Sequence, residues 1–391
     1  MSFFGKELAL LRKRANITQY QLAKELKLSR SHIFRIESGE RKANRDIIEK
    51  ISHVIKFSNY DLIKLFILSD IDFEINNNKD NFKLCFRLAL ELKNKGINDK
   101  AKFLVEKSMQ VFENMIELHA LLANLNLLNN DYDGAIKANE ETLKYIQNIP
   151  NSERTELGIT EAEIIHNLGY VYFERALNKK YYKDSLTVKN WYENNKELQS
   201  TINELTEEII IDFKRAIEEI EKALKLESEN LHIIDQLARL YYQGADISDN
   251  QKSKAEMFKK SIDLYEIIIS SEKDLQDFKK QEASIFLSMA LAKVFNLKES
   301  SRLINTVINY KPLYYLAYYA KSCIYSINGK DNKDFLDISY NSLVKAIKLN
   351  IDLKEDIKSE LDLYNLRFNK LFKNKFDELY TIEEGKENEK E

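Results

Sequence analysis

The stretch TQYQLAKELKLSRSHIFRIESG, residues Thr18–Gly39, decides how the front of this chain is read. Thr18 and Ser29 are each placed to cap a helix, their side-chain oxygens accepting a first-turn amide that has no partner inside the helix. The first of these helices runs through Glu25 and the second to Ser38, where Gly39 supplies the left-handed residue that ends a helix. Only Leu26-Lys27-Leu28 lies between them, and a short corner joining two capped helices is the geometry of a helix-turn-helix. Leu22, Ala23, Leu26, Leu28, Ile33 and Ile36 form the apolar set that closes the pair.

Working outward, Gly5 to Arg14 reads as a helix with Leu8 and Leu11 on one face. A fourth helix runs from about Asn44 to Ile55 and a fifth from about Asn59 to Leu68. Residues 1–68 therefore read as a five-helix domain. On its third helix Arg30, Ser31 and Arg35 project away from Ile33 and Ile36, where they could meet base edges. An arginine in the major groove binds guanine O6 and N7 through two parallel hydrogen bonds. Gln19, Arg41, Lys42 and Arg45 are the candidates for phosphate contacts, which position a domain without reading sequence. His32 reads as a residue of the helix surface, not a titrating switch. The charge agrees: residues 1–70 hold 14 Lys/Arg against 8 Asp/Glu, while the whole chain is at −3.

The pattern Thr18-Gln19-x-x-Leu22-Ala23, then Ser29-x-Ser31-x-Ile33-x-x-Ile36-Glu37-x-Gly39-x-Arg41, resembles the Xre/lambda-repressor family over about 55 residues. Lys27 departs from it, since many members carry Gly at the turn; a left-handed Lys there costs about 1–2 kcal/mol, which the turn survives. The resemblance implies a dimer on a palindromic double-stranded DNA operator, with the third helix in the groove.

Beyond residue 68 the chain changes character. Nine Gly and two Pro in 391 residues leave too few turn-makers for a many-stranded sheet, so the class is all-α. A Leu beside a small residue, with another small residue 13 positions on, recurs: Leu88-Ala89 with Ala101, then Leu122-Ala123 with Ala135, offset by the 34-residue period of the tetratricopeptide repeat. Leu168-Gly169-x-x-Tyr172 opens a third unit whose second helix is displaced to Ala216, Ile220 and Ala223. Leu237-Ala238-x-x-Tyr241 opens a fourth, and Leu287-Ser288 leads to Ser300 and Pro312 in a fifth. The expectation is six helical pairs at about 82–115, 116–149, 162–230, 231–275, 281–314 and 315–353. They would form a right-handed TPR-like solenoid over 82–380, after a linker at 69–81 and before a disordered acidic tail at 381–391. An insertion near 179–205 holds Tyr181, Tyr182, Trp191 and Tyr192.

A solenoid presents a concave face lined by its first helices, a shape suited to an extended peptide. The residues expected on that face are His166, Asn167, Tyr170 and Glu174 in the third unit. Asp235, Gln236, Arg239, Tyr242 and Gln243 follow in the fourth, with Phe286, Met289 and Lys293 in the fifth. The amides of Asn167 and Gln236 suit a peptide backbone, and Arg239 or Lys293 could hold a carboxylate. The tyrosines at 314, 315, 318 and 319 read as packing between repeats.

A helix-turn-helix head before such repeats resembles the architecture of the RRNPP peptide-pheromone-sensing regulators. That resemblance implies a homodimer and a short oligopeptide ligand for quorum sensing. Two other readings stay open: a ligand-independent regulator whose repeats only dimerise or bind a protein, and a signalling protein that sequesters or dephosphorylates a response regulator. No Gly-rich phosphate loop, Cys-x-x-Cys or His-Glu-x-x-His appears, and the five His are scattered, so no enzyme, cofactor or metal is expected. Cys85 and Cys323 read as small buried hydrophobes. The longest apolar runs, such as Leu313 to Ala320, fall far short of the roughly 20 residues of a membrane span. The N-terminus lacks the apolar core of a signal peptide, so the expected location is the cytoplasm.

Overall fold

A computed structural model describes residues 2–112, 115–149, 159–248, 250–271 and 277–381. It is all-α, with no strand among the described residues. The helices fall into two compact units, Met1–Arg154 and Thr155–Glu391.

In the first unit α1 (Phe3–Arg14), α2 (Gln19–Glu25), α3 (Arg30–Ser38), α4 (Arg45–Ile55) and α5 (Asn59–Leu68) form the head. The caps fall where side-chain chemistry puts them. Thr18 accepts from the Gln21 amide in a reciprocal capping box, Ser29 from that of His32, Asn44 from that of Ile47 and Ser58 from that of Asp61. Lys27 takes the left-handed conformation at φ 53°, as the tight corner requires. Leu8, Leu22, Ile33, Ile36, Ile48 and Ile51 are fully buried, so the pair α2–α3 is clamped on α1 and α4. Gly5 allows α1 to cross α3 closely: a Cβ there would stand 2.0 Å from the Glu37 carbonyl oxygen.

The head does not end in a free linker. Its apolar core is continuous through Phe73, Cys85, Leu88 and Ala101 to Leu125, spanning the first two helix pairs, α6 (Lys79–Asn94) with α7 (Asn98–Met109) and α8 (Ile116–Leu128) with α9 (Tyr132–Asn148). The expected linker at 69–81 is instead packed. Phe73 is buried, Lys107 lies 2.6 Å from the Asp72 carboxylate, and Lys100 pairs with Asp70. A buried ionic cluster ties the elements further. The Lys64 ammonium of α5 sits 2.6 Å from Glu7 of α1 and 2.7 Å from Glu91 of α6, and Tyr60 donates to the same Glu91. Burial opposes charge on Glu91, yet hydrogen bonds from Lys64, Lys95 and Tyr60 pull it down to about 2.

The second unit holds four pairs: α10 (Glu161–Glu193) with α11 (Lys196–Leu226), α12 (Leu231–Ile247) with α13 (Gln251–Ser270), α14 (Asp277–Lys293) with α15 (Leu297–Tyr310), and α16 (Tyr315–Ile327) with α17 (Lys333–Leu349). The region read as an insertion at 179–205 is not a loop. It lengthens both helices of the first of these pairs into a hairpin closed at Asn194 and Asn195. Arg175 and Lys179 bind Asp212 across it at 2.6 and 3.2 Å. Small residues mark the closest approaches. A Cβ on Gly169 would meet Ile220 at 2.6 Å, and the next three pairs replace alanine contacts by a buried serine that donates to the facing helix. Ser261 donates to the Ala238 carbonyl at 2.9 Å, Ser300 to Ser288 at 2.6 Å, and Ser339 to Ser322 at 2.8 Å. After α17 short turns carry the chain through 353–381, where Trp191 of α10 packs edge-on against Tyr364 and Phe368. The expected acidic tail lies outside the described residues beyond 381.

Candidate functional site

Two sites matter, one in each unit. In the head, a buried ion pair fixes the presentation of α3. The Arg12 guanidinium meets Glu37 at 2.6 and 3.0 Å and donates to the Ile17 carbonyl at 2.8 Å, while the Gln19 amide donates to Glu37 at 2.8 Å. One carboxylate at the end of α3 therefore ties α1 and the start of α2 together. Arg30, Ser31 and Arg35 are exposed on the opposite side of α3 from Ile33 and Ile36. Arg41 and Lys42 are exposed just after it. Burial, with Arg41 and Arg35 nearby, holds the His32 imidazole below its ordinary range.

Two of the residues expected over phosphates are otherwise engaged. Gln19 is half-buried with its amide on Glu37. Arg45 lies over the Phe66 ring at 4.9 Å, pairs with Glu49 at 3.3 Å and donates to the Asp72 carbonyl, which draws it toward residues 69–78. The sequence reading did not single out Phe34 and Tyr20, which are 53% and 66% exposed. An exposed ring on such a helix can contact a thymine methyl. The signal was present, since Phe34 falls outside the Leu22–Ile33–Ile36 packing set.

In the second unit the first helices of all four pairs share the walls of two cavities, of about 420 and 170 Å³. Tyr170, Glu174, Gln236, Arg239, Tyr242 and Gln243 line the smaller, and Arg239, Tyr242, Gln243 and Met289 the larger. Phe286 borders both, and the remaining candidates are placed or engaged differently. His166 is buried against His232, ring centroids 5.1 Å apart; burial and then that neighbour hold it down to about 4. Asn167 is exposed and borders neither cavity. Arg239 already lies 3.2 Å from Asp235 and 3.4 Å from Glu282 and rests on the Phe286 ring at 5.0 Å, so a ligand carboxylate there competes with those two acids. Asp235 is spent in that pair. Lys293 is likewise taken: its ammonium lies between Asp246, at 2.9 Å, and Asp362. Burial, with Glu360 and Asp246 close by, pushes Asp362 up to about 6 despite that ammonium.

The larger cavity also brings in residues that repeat spacing does not reach. Lys180, Tyr181 and Asp184 come from the lengthened α10, and Asp356, Glu360 and Asp362 from the turns after α17. The first group could have been found by continuing α10 in steps of three and four from Tyr170 and Glu174. The second has no such signal.

Residues 8–58 match the helix-turn-helix family. No protein of curated function matches the chain. Among solved structures it is similar to YrrB, described as a TPR protein with an unusual peptide-binding site. The two are 13% identical, with 61% of this chain and 90% of that one covered at a TM-score of 0.39. It is also similar to the TPR domain of P58(IPK), 15% identical over 83% of this chain and 98% of that one, at a TM-score of 0.23. No helix among the described residues is long and apolar enough to cross a membrane. The head of this all-helical chain is a helix-turn-helix domain.

Proposed function

We propose that this protein is a cytoplasmic DNA-binding transcription regulator of the RRNPP type, whose helical repeats capture a short signalling peptide and thereby alter operator binding. The observation that carries the reading is the combination in one chain of an exposed arginine face on a helix-turn-helix and a cavity walled by four successive first helices. Arg30, Ser31, Arg35 and Phe34 read bases, while Arg41 and Lys42 hold phosphates, with Gln19 and Arg45 positioning the helices behind them. The repeats supply both peptide capture and dimerisation. The homodimer binds a palindromic operator with half-sites about one helical turn, roughly 34–36 Å, apart.

The test is to map bound genomic sites, then measure affinity of the full chain for one such operator with and without each short secreted peptide encoded nearby. The expected response is a change of at least about fivefold, the usual lower range of allosteric coupling. An affinity that none of these peptides moves sinks the sensing half. For the head, Arg30→Ala with Arg35→Ala is expected to abolish discrimination between the operator and scrambled DNA, and discrimination retained in full refutes the readout assignment.

A further inference from the structure

We infer that the larger cavity of the second unit selects a cationic group, an ammonium or guanidinium, seated against the carboxylates of residues 356–362 and the aromatic rings that share its wall. This rests on the peptide-capture reading and adds the chemistry of the ligand.

Every cation near the cavity is already matched. Lys180 lies 2.8 Å from Asp184, Arg239 is held between Asp235 and Glu282, and Lys293 between Asp246 and Asp362. A ligand carboxylate would therefore have to compete with an internal partner. The acids are not matched in turn. Asp246 and Asp362 share one ammonium, and Asp356 and Glu360 form no ion pair among the described residues. Glu360 is fixed in place, accepting from the Tyr319 hydroxyl at 2.5 Å and from the Asp362 amide at 2.9 Å. Burial and the nearby Asp352, Glu355 and Glu360 push the Asp356 carboxyl up, a strain that an incoming cation relieves.

An independent observation points the same way. Tyr242 is 3% exposed, borders both cavities, and its hydroxyl has no hydrogen-bond partner among the described residues. A phenol oxygen that borders a cavity and has no partner is free to accept from an ammonium. Its ring, with those of Tyr181, Phe286 and Tyr314, gives the wall the aromatic faces that attract cations. A volume of about 420 Å³ takes one end or a few side chains of a peptide, not its full length.

The probes are synthetic hexapeptide libraries with one position fixed as Lys, Arg, Glu or Leu and the rest mixed, each with a free or acetylated amino terminus, titrated into the full chain. Libraries fixed as Lys or Arg, or the free-amine arm, are expected to bind about tenfold tighter than Glu libraries. Loss on acetylation identifies the terminal amine, and persistence identifies a side chain. Because the attraction is between charges near solvent, the preference is expected to shrink several-fold between about 0.05 and about 0.5 M NaCl. Asp356→Asn with Glu360→Gln is expected to remove most of it while the acetylated Leu libraries still bind, and Asp356→Asn alone, at an exposed position, replaces the pair should the double variant unfold. Binding without a cation preference overturns the inference and leaves peptide capture standing. Failure of every library to bind removes the capture reading and this one with it. A preference kept in full by a folded variant places the cation elsewhere and is equally fatal.

Discussion

Gly5 has no room for a side chain, because a Cβ would press on the Glu37 carbonyl at 2.0 Å. Gly5→Ala is therefore expected to cost about 1–3 kcal/mol, as overpacking does, and an unchanged denaturation midpoint would contradict the close crossing. His166 offers a second residue-level test. Its folded value of about 4 lies below the ordinary 6.5, so the unfolded chain binds more protons between those values. Stability is full above pH 6.5 and falls on acidification toward 4, by on the order of 3 kcal/mol. His166→Gln is expected to flatten that slope in thermal melts across the window; a slope that the substitution leaves intact rules out His166 as its source. Single residues were legible where local chemistry is strong, as at Thr18, Ser29 and Lys27. Partnerships across the fold were not: nothing in the spacing of Arg12, Gln19 and Glu37 reveals that one carboxylate joins them.

The head's helices were readable because each announces its start with a capping side chain and buries one clear stripe. The lengthened hairpin α10–α11 was harder, since extra aromatic residues break the repeat spacing. Yet no Gly or Pro occurs between Gly169 and Gly244, and uninterrupted helix is what such a stretch favours. The packing of α5 on α6 through Lys64, Glu7 and Glu91 makes its own prediction. Glu91, held at about 2, contributes stability that is present above the unfolded value near 4.3 and lost as pH falls toward 2. Acid titration of the full chain, followed by tryptophan-independent amide protection in residues 60–95, is expected to show loss of protection there over that window. Glu91→Gln is expected to lower protection at neutral pH and to remove its dependence on acid. Equal protection in both proteins would show that the cluster does not secure the head.

At the scale of the molecule, each unit has its own apolar cores, one running from Phe4 to Leu125 and others confined to residues beyond 155. Calorimetry is expected to resolve two transitions, with Gly5→Ala lowering only that of residues 1–154; one transition moved as a whole argues against separate units. The repeat spacing correctly foretold six helix pairs, but not that the first two share a core with the head, because repeat periods describe neighbours and not where an array begins. Nor could it foretell the return of residues 356–362 to the cavity, for those residues obey no period. The three serine seams carry one more consequence. A hydroxyl that answers a single facing carbonyl works like a tooth in a rack: sliding one helix along its partner by even a fraction of a turn strands a buried donor and acceptor at each seam. Pairs built this way resist shear, so whatever deformation a ligand drives in them must be taken up as hinge rotation at the corners between pairs.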